Sequence, residues 1–356
     1  MSREGYDMGR IGRIRPMRPI LFSALLLPLT LSTPRWTIQQ TGVTVRLRGL
    51  SAVSKEVVWA SGSASTVLRT TDGGATWHKF TVTQEQLDFR DVDAIDATTA
   101  YLLSIGNGPA SRIYKTTDAG VTWHLQFRNE DPKAFYDSMA FWDAKHGIAI
   151  GDSIDGRFCI LTTVNGMDWK RVPPTSLPAA LQNEGAFAAS GSNIALFGKS
   201  KAWIATGAAT KSRVLRTEDG GLTWTIAETP LKSGSSSGIF SIAFRDAKHG
   251  VVVGGDYKNE QVAVDNLALT SDGGITWKLI KGLSGYRSAV GFLPGSQTIV
   301  AVGPSGADWS EDDGQTWRPI AGQGFDTLSF APGLRKNSAV GFAAGLNGTM
   351  ARLEFK

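Results

Sequence analysis

Short runs of apolar residues recur along the chain, and both alternating faces of each run are apolar. This pattern is typical of β-strands buried on both sides. The runs occupy residues 57–62, 101–106, 147–151, 202–207, 251–255 and 299–303. A further apolar strand precedes each run, and the same pattern near the C-terminus adds one more unit. The predicted innermost strands end at Val53, Ile95, Phe141, Ser190, Phe244, Phe292 and Phe330.

A polar segment ending in tryptophan follows each run. The strong copies lie at residues 71–77, 117–123, 218–224, 271–277 and 311–317, and a weaker copy lies at 163–169. The tryptophans are separated by 46, 46, 55, 53 and 40 residues, which is the period of a propeller blade. We call this segment the Asp box. Its marker residues are Asp72, Trp77, Asp118, Trp123, Trp169, Asp219, Trp224, Asp272, Trp277, Asp312 and Trp317.

The residue types of the Asp box fit a hairpin. An aspartate accepts hydrogen bonds from backbone N–H groups of its own turn, and glycine adopts positive φ without strain. The tryptophan covers the turn, and its indole N–H is expected to find an acceptor. These aspartates are therefore interpreted as structural and not catalytic.

The seventh unit has no Asp box, and the chain stops one strand short after residues 350–355. Residues 36–40 begin with Trp36, as the strand after each box begins with its tryptophan. We predict that this segment closes the ring and so removes two exposed sheet edges. The predicted fold is a single all-β, seven-bladed β-propeller with Asp-box hairpins, covering residues 33–356 of a monomer.

Residues 1–32 resemble a signal peptide. The apolar stretch 20–31 follows arginines and precedes small residues, with a cleavage site after Ser32. The mature chain would begin near Thr33 and be periplasmic or secreted. The alternative is an uncleaved membrane anchor, and Met17 is an alternative start.

The charge balance argues against nucleic acid. The formal net charge is +5, but the leader contributes five arginines against two acids, so the mature chain carries 5 − 3 = +2. Such a small excess does not provide a phosphate-binding surface. The single cysteine, Cys159, excludes an internal disulfide and is predicted to be a buried thiol.

No cofactor or metal site is predicted. The four histidines fall at repeat-equivalent positions in separate units, namely His78, His124, His146 and His249. Equivalent positions in separate blades do not converge on one metal or substrate. Nor does the chain contain a phosphate-binding loop or a dinucleotide fingerprint.

The Asp boxes resemble the bacterial neuraminidase (BNR) or Asp-box repeat of the WD40/YVTN/BNR-like propellers. A single exported propeller of this kind is similar to the photosystem II stability and assembly factor family. That resemblance implies a non-catalytic propeller that binds a protein partner, as a chaperone or scaffold does. Nothing in the sequence indicates a photosynthetic source.

The rival function is a glycoside hydrolase of the sialidase-like Asp-box class, with carbohydrate as the ligand. The resemblance would then require an Arg-Ile-Pro segment opening the catalytic domain, and no mature segment matches it. The nearest candidate acids are Asp152 and Asp155, but Asp155-Gly156 is typical of a type I′ hairpin.

A partner is expected to dock where the innermost strands begin, because function usually collects on variable loops. Counting five residues back from each predicted strand end gives Arg48, Arg90, Tyr136, Gly185, Ile239, Arg287 and Phe325. Asp137 and Glu184 adjoin this position, and the loop carrying Asp152, Asp155 and Arg157 is expected at the same mouth. We predict a basic half-ring of Arg48, Arg90 and Arg287 that binds an acidic segment. Alternatively, these arginines pair with neighbours such as Asp91 or Asp326.

Overall fold

The computed structural model describes residues 33–333 and 339–355, together with Met1, Ser2 and Gly5. The apolar part of the predicted signal peptide, its cleavage site after Ser32 and the alternative start Met17 lie outside the described residues. Within the described part of the chain, no helix is long and apolar enough to cross a membrane.

Almost all regular structure is β-strand. The strands are β1 (Pro34–Gln39), β2 (Leu47–Ala52), β3 (Val58–Gly62), β4 (Thr66–Thr70), β5 (His78–Phe80), β6 (Asp88–Ala94), β7 (Ala100–Ile105), β8 (Arg112–Thr116), β9 (His124–Arg128), β10 (Tyr136–Phe141), β11 (Gly147–Ile154), β12 (Arg157–Thr163), β13 (Lys170–Arg171), β14 (Ile194–Phe197), β15 (Lys201–Ala205), β16 (Arg213–Thr217), β17 (Thr225–Glu228), β18 (Ser237–Phe244), β19 (Gly250–Asp256), β20 (Leu267–Thr270), β21 (Lys278–Leu279), β22 (Ala289–Phe292), β23 (Ile299–Gly303), β24 (Gly306–Ser310), β25 (Arg318–Ile320), β26 (Thr327–Phe330), β27 (Val340–Ala344) and β28 (Met350–Phe355). Short 3-10 turns lie at Gly108–Ala110, Pro174–Ser176 and Leu346–Gly348.

These strands form seven four-stranded antiparallel sheets, which confirms the predicted seven-bladed propeller. Six blades contain four consecutive strands, from β2–β5 in blade 1 to β22–β25 in blade 6. Blade 7 combines strands from both ends of the domain in the order β1-β28-β27-β26.

The N-terminal strand closes the ring as predicted. Strand β1 pairs antiparallel with β28, from Pro34 opposite Phe355 to Gln39 opposite Met350. Gln39 also contacts the next blade, because its Nε2 donates to the carbonyl of Gly73 at 2.7 Å. The same strand therefore completes blade 7 and packs against the Asp box of blade 1.

Hydrophobic clusters fill the spaces between adjacent blades. One cluster joins Val58 and Leu68 of blade 1 to Val340 and Phe342 of blade 7. The second strand of each blade lies at the centre of such packing, which explains why both of its faces are apolar. Cys159 is fully buried in another inter-blade cluster, and burial raises the pKa of its thiol to about 11.

The Asp boxes form hydrogen-bonded hairpins. Asp118 accepts bonds from the backbone N–H and the hydroxyl of Thr122, at 2.9 and 2.5 Å, and from the hydroxyl of Thr116 at 2.8 Å. These bonds lower the pKa of Asp118 to about 2.

The prediction that every indole N–H group of the Asp boxes finds an acceptor was wrong in part. Acceptors are present for Trp123, Trp224 and Trp317. None is present among the described residues for Trp77, Trp169 and Trp277.

Blade 4 departs from the sequence prediction. Its innermost strand is β14, which ends at Phe197 and not at Ser190. Residues 186–192, here called the central segment, have no regular structure and extend into the central channel. Ser190 donates from Oγ to the carbonyl of Ser288 in blade 6 at 2.7 Å, and accepts at its own carbonyl from Thr327 of blade 7 at 3.1 Å. The central segment therefore bridges blades that are remote in sequence.

Candidate binding pocket in the central channel

Four innermost strands carry a β-bulge near their first residues. In β2, β6, β10 and β18 the pairing register shifts at Arg48, Arg90, Asp137 and Phe240. A bulge inserts an extra residue into one strand and redirects its side chain. The sequence therefore places one bulge residue at the channel end of each of these strands.

These bulge residues are structurally equivalent. In six of the seven blades, all but blade 4, the inner strand ends in a turn closed by a backbone hydrogen bond from Val53, Ile95, Trp142, Arg245, Leu293 or Ala331. Counting five residues back from these donors gives Arg48, Arg90, Asp137, Phe240, Ser288 and Asp326. The predicted strand ends Phe141, Phe244, Phe292 and Phe330 are confirmed, whereas those of blades 1 and 2 are wrong by one residue, because β2 and β6 end at Ala52 and Ala94. Counting from strand ends that were not equivalent therefore gave Tyr136, Ile239, Arg287 and Phe325, each one residue before the equivalent position, and the present set replaces the one inferred from sequence.

A pocket of about 440 Å³ opens between these residues. That volume lies within the usual range of roughly 300–1,000 Å³ for ligand sites. Residues in or beside all seven blades line it. The lining residues are Arg46, Arg48, Arg90, Ile105, Phe135, Ala186, Phe187, Ala188, Ala189, Phe240, Tyr257, Glu260, Tyr286, Pro304 and Asp326. The central segment contributes four consecutive residues, 186–189, to this lining.

Two of the three pocket arginines have partners. Arg46 forms a bidentate pair with Asp326, with Nε–Oδ2 and Nη2–Oδ1 distances of 2.7 and 2.6 Å. Arg90 bonds through Nε to Asp88 and through Nη1 to the carbonyl of Ala188, both at 2.8 Å. Their guanidinium groups are therefore held in fixed orientations.

Arg48 has no such partner. Its Nε is buried and lacks a hydrogen-bond acceptor among the described residues. Burial and the neighbouring Arg90 guanidinium lower the pKa of Arg48 to about 10, so the side chain remains cationic at neutral pH. The Arg48 side chain as a whole is half-buried and forms no ion pair among the described residues. A carboxylate could bind such a guanidinium bidentately.

The wall beside Arg48 is aromatic. The rings of Phe187 and Phe240 are stacked with centroids 3.9 Å apart. Tyr257 meets both rings edge-on at 6.4 and 6.2 Å, and Tyr286 meets Phe240 edge-on at 4.7 Å. We call these four residues the aromatic shelf. Phe240 and Tyr286 are buried, whereas Phe187 is half-buried and Tyr257 is 44% exposed, so these last two residues form the accessible part of the shelf.

Two carboxyl groups accept hydrogen bonds from the backbone of the central segment. Asp137 accepts from the backbone N–H of Ala188, and Asp152 accepts from that of Ala186. Burial and the nearby Asp152 raise the pKa of Asp137 well above its ordinary value, and burial raises the pKa of Asp152 to about 6. The central segment is therefore held by two carboxyl groups whose pKa values are raised.

The proposed basic half-ring needs correction. Arg287 is fully buried, and its guanidinium pairs with Asp308 and the carbonyl of Tyr286. Phe325 and Tyr136 are also buried, at 1% and 3% exposure. All three precede the equivalent position by one residue. Tyr136 lies on β10, where successive side chains point to opposite faces, and it packs in an inter-blade cluster. Arg287 and Phe325 lie just before β22 and β26 and are buried by Asp308 and Trp36 respectively.

Other predicted site residues have structural contacts. Glu184 is buried and forms an ion pair with Arg213 while also accepting from Thr206 at 2.7 Å. Asp155 and Gly156 both have positive φ, which confirms the predicted hairpin turn. Asp155 and Arg157 are exposed and do not line the pocket. Arg48 and Arg90 alone among the predicted binding residues line it, and their binding role stays a prediction.

A sequence signal for the correct register was present. Ser54, Asp96, Asp143 and Asp246 each cap the turn after an inner strand by accepting backbone N–H groups. Counting six residues back from these caps gives Arg48, Arg90, Asp137 and Phe240 directly. No comparable local signal identifies Tyr257 or Tyr286, which reach the pocket through long loops.

No family model and no curated protein matches the chain. Solved structures do match. YCF48 bound to D1 peptide has 16% identity and a TM-score of 0.61, covering 90% of this chain and 97% of that one. YCF48 from Cyanidioschyzon merolae has 16% identity and a TM-score of 0.62, covering 90% and 98%. A streptogramin B lyase structure has 13% identity and a TM-score of 0.66, covering 91% and 98%. At these identities the likeness shows the propeller fold and nothing about function.

Proposed function

We propose that this chain is an exported, non-catalytic propeller that binds a protein partner at its central pocket, in the manner of an assembly factor or scaffold. The observation that carries the proposal is the half-buried Arg48, whose buried Nε has no acceptor among the described residues, beside an aromatic wall that includes the exposed Tyr257. Arginine and aromatic side chains are enriched among residues that dominate protein interfaces. One structure of similar fold, YCF48, is bound to a peptide, which is consistent with this use of the fold.

The arrangement of acids favours binding over glycoside hydrolysis. Hydrolysis of this kind uses two carboxyl groups facing each other across the substrate. The acidic residues that line the pocket are Asp326 and Glu260. Asp326 is bound bidentately by Arg46. Asp152 holds the central segment through the backbone of Ala186. A free carboxylate pair is therefore not presented by the described pocket.

A pull-down from the native cell envelope, with a glycan-hydrolysis panel run in parallel, tests the proposal. We expect a saturable protein partner that is lost with Arg48→Ala and retained with Arg128→Ala, since Arg128 is an exposed arginine on the outer strand β9. Glycan turnover abolished by Asp152→Asn would overturn the proposal.

N-terminal sequencing of the native protein should find a start near Thr33, and an intact Met1 or Met17 in the cytosol would contradict export.

A further inference from the structure

The aromatic shelf and Arg48 adjoin each other, which limits what the pocket can hold. Tyr286 links them, because its phenol lies near the charge of Arg48 and its ring contacts Phe240. One side of the pocket thus offers an unpaired cation, and the next offers aromatic surface. A ligand that satisfies both must carry an anionic group and a large apolar group close together.

Two further exposed apolar residues lie on the loop that carries Tyr257 of the shelf. Val262 and Val264, on the same long loop as Tyr257, are 44% and 49% exposed. The loop is fixed at its middle, since the carbonyl of Glu260 accepts from the backbone of Tyr286 at 2.8 Å and from Ser305 Oγ at 3.1 Å. Contiguous exposed apolar residues beside a pocket commonly mark an interaction site. A ligand longer than the pocket could therefore extend along this loop.

We infer that the pocket recognises an extended peptide segment in which an acidic residue and a large apolar residue, aromatic for best fit, are separated by one residue. This inference rests on the proposed function and specifies its ligand. In an extended chain the side chains at positions i and i+2 point to the same side. The acid would pair with Arg48 while the apolar side chain lies on Phe187 and Tyr257. Edge-to-face contact with these rings favours an aromatic group.

The test uses capped Gly/Ser peptides with a fluorescent label, measured by fluorescence polarisation against the full chain. The test peptide carries aspartate and phenylalanine separated by one residue. Three controls replace aspartate by asparagine, replace phenylalanine by alanine, or place the two residues adjacent. We expect each control to bind at least ten-fold more weakly than the test peptide. Sialyllactose provides an acidic sugar for comparison.

Variants assign the two contacts separately. Arg48→Ala should abolish the preference for aspartate over asparagine, and Tyr257→Ala should abolish the preference for phenylalanine over alanine. Leu125→Ala, an exposed apolar residue on β9, should change neither preference. Thermal melting of each variant checks folding, and Tyr257 is exposed enough for its truncation to leave the fold intact.

Several results would overturn the inference. They are absence of binding at millimolar test peptide, equal binding of test and control peptides, or binding of sialyllactose in place of the peptide. If the envelope pull-down still recovers an Arg48-dependent partner, the proposed function stands and this specificity alone is wrong. If neither assay depends on Arg48, both are wrong.

Discussion

Arg287 and Asp308 form an ion pair 2.7 Å long in which both side chains are fully buried. Ser284 donates to the same carboxylate, so neither charge faces solvent. The pair links the start of blade 6 to its third strand. An arginine that resembled a surface anchor in the sequence is therefore part of the interior.

Breaking this pair should destabilise the protein strongly. Asp308→Ala leaves a buried guanidinium without its counter-charge, and such losses typically cost about 3–5 kcal/mol. Urea unfolding followed by tryptophan fluorescence measures the effect. Arg128→Ala, which removes one partner of an exposed pair, should cost less than about 0.5 kcal/mol. Similar losses for the two variants would mean that Arg287 is not buried as described.

Truncating Arg48 should weaken binding without harming the fold. The side chain is half-buried and its Nε has no acceptor among the described residues, so Arg48→Ala removes a partly desolvated charge along with some packing. We expect the free energy of unfolding to change by less than about 1 kcal/mol, while partner affinity falls at least ten-fold, or about 1.4 kcal/mol. Calorimetric melting and titration of the same samples separate these effects. A large drop in melting temperature would assign Arg48 a structural role.

Removing the closing strand should open the ring. Deletion of residues 35–40 takes away the partner of β28 and the contact of Gln39 with blade 1. We expect the free energy of unfolding to fall by more than about 3 kcal/mol, comparable to the most damaging single substitutions. Ile38→Ala serves as the control, because Ile38 is 50% exposed and its truncation should be nearly neutral. A deletion variant that melts like the parent would disprove the closure.

Stability should fall as the pH rises from 5 to 7, a range in which the Asp-box carboxyls, whose pKa values are lowered as for Asp118, are almost fully ionised in both states. Asp152 has a folded pKa of about 6, above the value of about 3.9 in an unfolded chain. The folded state therefore binds more protons in this window, and its stability is lost as the pH increases through the folded pKa. Asp137 acts in the same direction. Asp152→Asn should flatten the decline by about 1–2 kcal/mol after allowing for partial exposure.

Unfolding in urea at several pH values measures this slope. Asp155→Asn provides the matched control, since Asp155 is exposed at the hairpin tip and its removal should leave the slope unchanged. A parent protein whose stability is flat or rises between pH 5 and 7 would show that the pKa values of these carboxyls are not raised.

The sequence predicts the architecture because the hairpin chemistry is local. An Asp box needs only seven consecutive residues, so each copy identifies its blade independently of the rest of the fold. The closing strand could be predicted as well, since Trp36 repeats the position of the box tryptophans. Blade 4 was misplaced because the central segment is apolar like a strand but is held by distant groups such as Ser288 and Thr327.

The binding pocket was harder to predict, because it depends on single-residue register. A β-bulge at Arg48 or Phe240 changes which face the next residues occupy, and that shift depends on contacts with the neighbouring strand. The error moved Arg287 into the predicted site and left Phe240 out. Whether an arginine is paired, as Arg287 is, or unpaired, as Arg48 is, also depends on residues remote in sequence.

The pairing of β1 with β28 has a consequence for biosynthesis. The first strand of the propeller to be translated must wait for the last one before either can complete its hydrogen bonds. Until then the nascent chain carries an open sheet edge at each end, and such edges attract non-native pairing. A chain whose synthesis ends before residue 350 thus leaves β1 without its partner strand. The domain reaches its native state only when synthesis through the last blade is finished.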